Sequence, residues 1–368
     1  MDQRPNLKNY SPDALRERFR RAGLEPYRAD QVSGWLYKRD VADPAAMTDL
    51  SLAVRERLAA EWRFHALDLA ELRQSRDGTR KALLRADDGA LVESVLIPEE
   101  RRNTLCLSTQ VGCSLACAFC ATGAMGLVRN LSTAEIVDQV CRMRELLGPD
   151  EEITNVVFMG MGEPLLNFSA LLEALRILVH PRAFAMAHRR ITVSTVGVIP
   201  KLHPLLEFGP VNLAVSLHAA NDDLRDKLVP LNRQFPLADL LQALRTDPLV
   251  TARRPIFFEY TLIDGVNDSP EQARQLARLL RGLPCKLNVI PMNPHVDCDY
   301  RRPAPATLER FTAALHAAGV RVTTRRSRGT DIDAACGQLA LRGSATSRMA
   351  RRRIKLPVRA AEAVSGGG

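Results

Sequence analysis

The segment Gly112-Cys113-Ser114-Leu115-Ala116-Cys117-Ala118-Phe119-Cys120 carries three cysteines in the spacing CxxxCxxC. Three thiolates on one short loop can bind one face of a cubane [4Fe–4S] cluster and leave the fourth iron open to another ligand. A cluster with four cysteines is closed and only carries electrons, whereas an open iron can bind a substrate. The spacing therefore favours an iron–sulfur cluster held by Cys113, Cys117 and Cys120.

Two other interpretations of these thiols stay open from the residues alone. Structural zinc could use Cys106 as a fourth ligand, although zinc motifs usually combine two pairs of closely spaced ligands. Buried thiols that pack as small apolar side chains are the other possibility. Four of the eight cysteines in this chain of 368 residues fall between 106 and 120, which favours metal binding or catalysis over disulfides.

The sequence alternates between strand and helix patterns from about residue 104 to residue 327. The quartet Ser132-Thr133-Ala134-Glu135 is a capping box that opens one of the helices. About six βα units imply an α/β fold with a parallel sheet, either doubly wound or curled into a partial barrel. The predicted strands cover residues 104–108, 153–158, 191–194, 211–217, 256–262 and 287–291.

The regions on either side of this core have different patterns. Residues 1 to about 65 are predicted to be helical, and short strands follow up to residue 98, with tight turns at Asp77-Gly78 and Asp88-Gly89. We therefore predict a small α/β accessory domain over 1–98, a core over 99–340 and a basic, flexible tail over 341–368. The tail either is a solvated extension or contacts RNA phosphates.

The charge of the chain bears on its partners. Its formal net charge is +9, which favours a polyanion such as RNA, although an arginine-rich composition alone would give the same value. No apolar run approaches the roughly 18 residues that a membrane-spanning helix needs. The first residues lack the apolar stretch of a signal peptide, so we expect a cytoplasmic protein without a membrane partner.

Polar residues recur where the predicted strands end. Each of them alone is more often a helix cap or a turn residue. Because ligands of α/β barrels bind at the carboxyl ends of the strands, their repetition predicts one shared pocket. These strand-end residues are Gly162, Glu163, Ser194, Ser216, Leu217, His218 and Asn293.

A wider set of motifs resembles one protein family. CxxxCxxC with an aromatic residue before its last cysteine is similar to the signature of the radical S-adenosylmethionine (SAM) superfamily. Within it, the chain resembles the RlmN and Cfr family of RNA adenine methyltransferases nearly from end to end. The motifs are YRADQ at 27–31, WLY at 35–37, MTDL at 47–50, VESVLIP at 92–98, STQVGC at 108–113, RNL at 129–131, MGMGEP at 159–164 and DIDAACGQL at 331–339.

We call residues 113–120 the cysteine loop. The resemblance implies roles for three residues outside this loop. One SAM methylates a cysteine matched by Cys336, and a second SAM provides the radical that joins the S-methyl carbon to the adenine ring. Glu93 matches the acceptor of the ring proton, and Cys106 matches the thiol that releases the product by forming a disulfide with Cys336. From the residues alone, Cys336 is either buried or an accessible nucleophile, and Glu93 is either a base or a solvent-facing strand residue.

The resemblance also implies the fold, the cofactors and the partners. We expect a partial (βα)₆ radical SAM barrel that binds a [4Fe–4S] cluster and uses two SAM molecules per turnover, with the strand-end residues as SAM contacts. The implied reaction is methylation of C2 of adenine in large-subunit ribosomal RNA and in tRNA, with a reductant such as flavodoxin and a monomeric enzyme. Two alternatives remain, namely methylation of C8 and a non-catalytic, zinc-stabilised RNA-binding protein.

Overall fold

The structure is a computed structural model that describes residues 2–296 and 298–341. Its amino-terminal part is helical, as predicted, with α1 (Pro12–Arg21), α2 (Arg28–Lys38) and α3 (Leu52–Glu61). Pro12 occupies the first turn of α1, where its missing N–H leaves no hydrogen bond unmade. The predicted basic tail lies outside the described part of the chain, apart from Leu341.

Three antiparallel strands follow the helices: β1 (Leu67–Gln74), β2 (Arg80–Ala86) and β3 (Leu91–Glu99). The two predicted turns connect them. Gly78 and Gly89 have φ angles of +85° and +79°, which glycine adopts without the steric penalty of a side chain. We refer to these three strands as the platform.

The remaining chain alternates strand and helix as expected. The predicted strand 256–262 has the observed bounds, and the bounds of the other predicted strands differ by at most two residues. The cysteine loop lies between β5 (Gln110–Gly112) and β6 (Leu127–Asn130), which form a separate two-stranded sheet. The elements are β4 (Arg102–Cys106), β5 (Gln110–Gly112), α4 (Ala121–Ala124), β6 (Leu127–Asn130), α5 (Thr133–Arg144), β7 (Asn155–Phe158), α6 (Phe168–Val179), β8 (Ile191–Thr195), α7 (Leu202–Phe208), β9 (Asn212–Ser216), α8 (Asp222–Leu228), α9 (Leu237–Thr246), β10 (Ile256–Leu262), α10 (Pro270–Leu280), β11 (Cys285–Pro291), α11 (Pro305–Ala317) and β12 (Val322–Thr324).

The main sheet has the strand order β1-β2-β3-β4-β7-β8-β9-β10-β11-β12. Strands β4 and β7 to β12 are parallel and form the partial barrel, which confirms the predicted fold class. Six of these seven strands were predicted. The seventh, β12, has only three residues and none of them is buried, so it lacks the apolar pattern by which a strand is recognised.

The platform belongs to the same sheet as the barrel. Strands β3 and β4 pair antiparallel and place Val95 opposite Cys106, so the barrel begins where the platform ends. The division of the chain at residue 98 stays a prediction. Among the described residues, none of the helices combines the length and the apolar character needed to cross a lipid bilayer.

Helix α5 connects the barrel to the amino-terminal helices. The capping box is formed: the Ser132 side chain accepts from the backbone N–H of Glu135, and the Glu135 carboxylate accepts from that of Ser132. One turn further on, Asp138 is buried and forms an ion pair with Lys8, which is also buried. Removal of Lys8 alone is costly, because the buried Asp138 carboxylate loses its nearest cation and keeps only Arg142 at 3.8 Å and two backbone donors.

Candidate active site

The carboxyl ends of the parallel strands surround a cavity of about 820 Å³, which we call the strand-end cavity. The predicted shared pocket therefore exists, and six of the seven strand-end residues line it: Gly162, Glu163, Ser194, Ser216, His218 and Asn293. Leu217 instead has a fully buried side chain that belongs to the core and does not line the cavity.

Glu163 follows β7 and is held from two sides. One carboxylate oxygen accepts from the backbone N–H of Val196 at 3.0 Å, and the other accepts from that of Leu165 at 3.0 Å. Burial raises the pKa of Glu163 to about 7. Gly162 has φ +99°, and a Cβ there would lie 2.5 Å from Cβ of Gln110, so this close approach requires glycine.

His218 adopts a left-handed backbone conformation with φ +60° just after β9. Its Nδ1 accepts from the backbone N–H of Thr261 at 3.0 Å, so the ring proton of the neutral imidazole is on Nε2. Burial lowers the pKa of His218 to about 3, and its ring makes an edge contact with Phe119 at 4.6 Å between centroids. His218 is therefore a neutral N–H donor beside the cysteine loop.

Arg225 on α8 is a buried residue that the sequence analysis missed. Its guanidinium donates to the backbone carbonyls of Val196, Ser216 and Leu217 at 2.6, 3.0 and 3.0 Å. Burial lowers the pKa of Arg225 to about 10. The arginine thus fixes the ends of β8 and β9. It was missed because a charged residue on a short polar helix gives no sign in the sequence that it is buried.

The three cysteines of CxxxCxxC lie together on their loop. Burial raises the pKa of all three thiols, and for Cys117 the neighbouring thiols of Cys120 and Cys113 raise it further. Two backbone hydrogen bonds hold the loop. The N–H of Cys113 donates to the Gly126 carbonyl at 3.0 Å, and the N–H of Ala118 donates to the Leu228 carbonyl at 3.0 Å.

This donor set fits an iron–sulfur cluster. Thiolates are the ligands that such clusters take, and Cys120 also lines the strand-end cavity. In the part of the chain that the structure describes, no three His, Cys, Asp or Glu side chains converge on a single metal-ion position. A cubane does not require such convergence, because each of its thiolates binds a different iron.

Cys106 lies outside this loop, at the end of β4. It is buried and lines a second cavity of about 1,170 Å³ together with Cys336, which we call the two-thiol cavity. Burial, and next the nearby Cys336, raise the pKa of Cys106 to about 12. Cys106 therefore faces Cys336 and not the loop thiols, which removes the fourth ligand of the zinc interpretation.

Cys336 is exposed and lines both cavities. The interpretation of this residue as a buried packing cysteine is therefore wrong. The surrounding residues 329–341, which we call the carrier segment, contact both the cysteine loop and the end of β11. The backbone N–H of Ala121 donates to the Gly337 carbonyl at 2.8 Å, and the Asn293 side chain donates to the Cys336 carbonyl at 3.2 Å.

Glu93 on β3 is buried, which contradicts its interpretation as a solvent-facing residue. It forms an ion pair with Lys81 at 3.2 Å and accepts from the backbone N–H of Ala340 at 3.1 Å. Burial raises the pKa of Glu93. The carboxylate lies in a small pocket of about 400 Å³ on the platform and lines neither of the two large cavities.

Arg325 is a further site residue that the sequence analysis missed. It follows the short strand β12 and lines both the strand-end and the two-thiol cavity. Its guanidinium lies 3.8 Å from the Glu259 carboxylate and moderates the rise in the pKa of Cys106. It was missed because β12 itself was not predicted. The three remaining cysteines, Cys141, Cys285 and Cys298, lie among the apolar core contacts.

A partial barrel with three loop cysteines beside a strand-end cavity defines the class of radical SAM enzymes. The family model of the radical SAM superfamily matches residues 107–279, and the model of the ribosomal RNA large subunit methyltransferase N-terminal domain matches residues 5–63.

Comparison with individual proteins identifies the family within this class. The chain is 49% identical over 339 residues to the dual-specificity RNA methyltransferase RlmN of Geobacter sulfurreducens, covering 92% of this chain and 93% of the relative. It is 46% identical to the protein of the same name from Marinobacter nauticus, covering 96% and 97% of the two chains. A radical SAM methyltransferase structure from Sphaerobacter thermophilus superposes with a TM-score of 0.86 at 45% identity, covering 91% and 99%. The chain belongs to the RlmN family of radical SAM RNA methyltransferases.

Proposed function

We propose that this enzyme methylates C2 of adenine in large-subunit ribosomal RNA and in tRNA, through a methyl group carried on Cys336. The observation that carries the proposal is the position of Cys336, an exposed thiol at the border between the strand-end cavity and the two-thiol cavity. From this border one sulfur can face a methyl donor on one side and the Cys106 thiol on the other.

The residues of the strand-end cavity would hold SAM. The Glu163 carboxylate can accept hydrogen bonds from an ammonium group, and the His218 N–H can donate to an acceptor on the ligand. When bound, the cluster and SAM would supply the methyl group and the radical that removes hydrogen from it. Phe119 and the carrier-segment residues Cys336 and Gly337 line part of the same cavity.

The two thiols divide the later chemistry between them. Cys336 holds the carbon that becomes bonded to the adenine ring. For release, the Cys106 thiolate attacks the sulfur of Cys336, so an S–S bond forms while the S–C bond breaks. The electron pair of that bond passes to the product carbon, which takes up a proton. The guanidinium of Arg325 partly offsets the burial that disfavours the Cys106 thiolate.

Glu93 is proposed to accept the ring proton, by its match to the family. The radical adduct also has to give up one electron, for which the iron–sulfur cluster would be the acceptor when bound. A carboxylate whose pKa is raised by burial is suited to general-base chemistry. Because Glu93 lines neither large cavity, the carrier segment would have to shift for the carboxylate to reach the ring. The relatives belong to the RlmN branch, which favours C2 over C8 methylation.

Mass spectrometry of the digested protein tests the carrier role. Purified with an intact cluster and supplied with SAM and reductant, the wild type should carry one methyl group on Cys336, and Cys285→Ser should behave identically. Cys336→Ala should methylate no RNA. An unmodified Cys336 under these conditions would leave a radical SAM enzyme of another mechanism.

The partners follow from the same proposal. The net charge of +9 supports binding of an RNA polyanion, and separate assays with ribosomal RNA and with tRNA, each digested to nucleosides, test the two substrates. We further infer a cytoplasmic monomer reduced by a flavodoxin-like protein. Sedimentation and titration with reduced flavodoxin test these points.

A further inference from the structure

The carrier segment is attached to the platform along its length. At its beginning, the backbone N–H of Gly329 donates to the Asp77 carboxylate at 3.0 Å. Two residues later, the hydroxyl of Ser75 donates to the Asp331 carboxylate at 2.6 Å. The strands β1 to β3 thus position the residues that carry Cys336, although both family models leave these strands and this segment unmatched.

The innermost attachments involve two buried, charged side chains. Lys81 donates from its ammonium group to the backbone carbonyl of Asp333 at 3.0 Å, on the amino-terminal side of Cys336. Glu93 accepts from the N–H of Ala340 at 3.1 Å, on the carboxyl-terminal side. Lys81 and Glu93 are only 6% and 5% exposed and lie 3.2 Å apart.

We propose that Lys81 and Glu93 form a single latch that fixes the carrier segment on both sides of Cys336, which makes Lys81 a positioning residue of the reaction. Each member holds one side of the segment and also holds the other member. Loss of either charge therefore loosens both attachments, since a buried ion left without its partner has to regain water.

The latch depends on the charge of the Glu93 carboxylate. The other charged groups that line its pocket are Glu71, Arg73 and Asp333. A proton taken up by Glu93 would remove the charge that Lys81 faces, and the segment would become free to move. A segment freed in this way would let Cys336 move within the two-thiol cavity, at the step where it has to meet Cys106.

This inference rests on the proposed function, but the latch itself can be measured without turnover. Hydrogen–deuterium exchange of the full-length holoenzyme reports on the amides of 333–341, with α10 as an internal reference. Lys81→Met removes the charge at similar length, and Glu93→Gln imitates the protonated carboxyl. We expect exchange of 333–341 to accelerate roughly tenfold or more in each variant.

The double variant decides whether the two residues act as one unit. Exchange in Lys81→Met/Glu93→Gln should be no faster than in either single variant, because the loss of either side chain already weakens both attachments. Lys81→Arg should stay near the wild type. Lys286→Met, at the far amino end of β11 and exposed, is the matched control and should leave exchange unchanged.

Two results would overturn the latch. Exchange of 333–341 within about twofold of the wild type in Lys81→Met would remove the role of Lys81, and additive effects in the double variant would mean two independent contacts. If α10 also exchanges faster in Lys81→Met, that variant is destabilised as a whole. The comparison is then made with Lys81→Arg, which keeps the charge and the fold: exchange of 333–341 near the wild type supports the latch, and faster exchange of 333–341 alone contradicts it. Absence of a methyl group on wild-type Cys336 would refute the carrier mechanism while leaving the exchange result intact.

Discussion

Acid should destabilise this protein through one buried imidazole. His218 is neutral in the folded state because burial lowers its pKa to about 3, whereas its ordinary value is 6.5. The stability that comes from keeping the ring neutral is complete above 6.5. It is lost as the pH falls from 6.5 towards 3, because the unfolded chain binds a proton that the folded chain does not.

The size of this effect follows from the two pKa values. At about pH 5.5 an unfolded histidine is mostly protonated, which favours unfolding by about 1.4 kcal/mol, whereas at about pH 7.5 the same contribution is about 0.1 kcal/mol. Since the folded-state pKa of His218 lies well below this window, the difference of about 1.3 kcal/mol is the expected loss.

Urea unfolding of the cluster-free protein at both pH values measures this loss. His218→Gln removes the titrating group, so the wild type should lose about 1.3 kcal/mol more than the variant between the two pH values. His203 is the control: it is exposed, and Asp247 raises its pKa, so His203→Gln should change the pH dependence in the opposite direction. Equal losses in the wild type and His218→Gln would refute the neutral, buried imidazole.

Three further predictions concern other buried groups. Lys8→Met should lower the free energy of unfolding by about 3 kcal/mol in urea unfolding, because the buried Asp138 charge loses its nearest cation and keeps only the more distant Arg142. Adding Asp138→Asn should recover part of the loss, and no recovery would contradict the ion pair. Arg225→Leu should weaken SAM binding at least about tenfold in calorimetry, because the carbonyls of Val196 and Ser216 lose their hydrogen-bond donor. Unchanged affinity would mean that these strand ends need no support from Arg225. Cys106→Ser should still acquire the methyl group on Cys336 but accumulate the protein–RNA adduct on denaturing gels, since a hydroxyl cannot form the releasing disulfide.

Much of the core could be predicted from local sequence patterns. The alternation of strands and helices gives the parallel sheet, and the capping box Ser132–Glu135 forms as predicted. The spacing of CxxxCxxC groups three thiols because residues three and four apart on one loop are neighbours in any fold. Polar residues at strand ends meet in one cavity because parallel strands end on the same side of the sheet.

The environment of the two further thiols and of Glu93 was decided only by tertiary structure. Resemblance named Cys106, Cys336 and Glu93, but not which of them would be exposed. Ala340 donates to Glu93 across 247 positions in the sequence, and Lys81 reaches Asp333 across 252. Such contacts depend on the order in which ten strands pair, and no local pattern encodes this order. The sequence by itself thus determined the chemistry of the cysteine loop, whereas packing of the platform against the carrier segment decided where Cys336 stands, because hydrogen bonds between distant residues form only once the sheet has assembled.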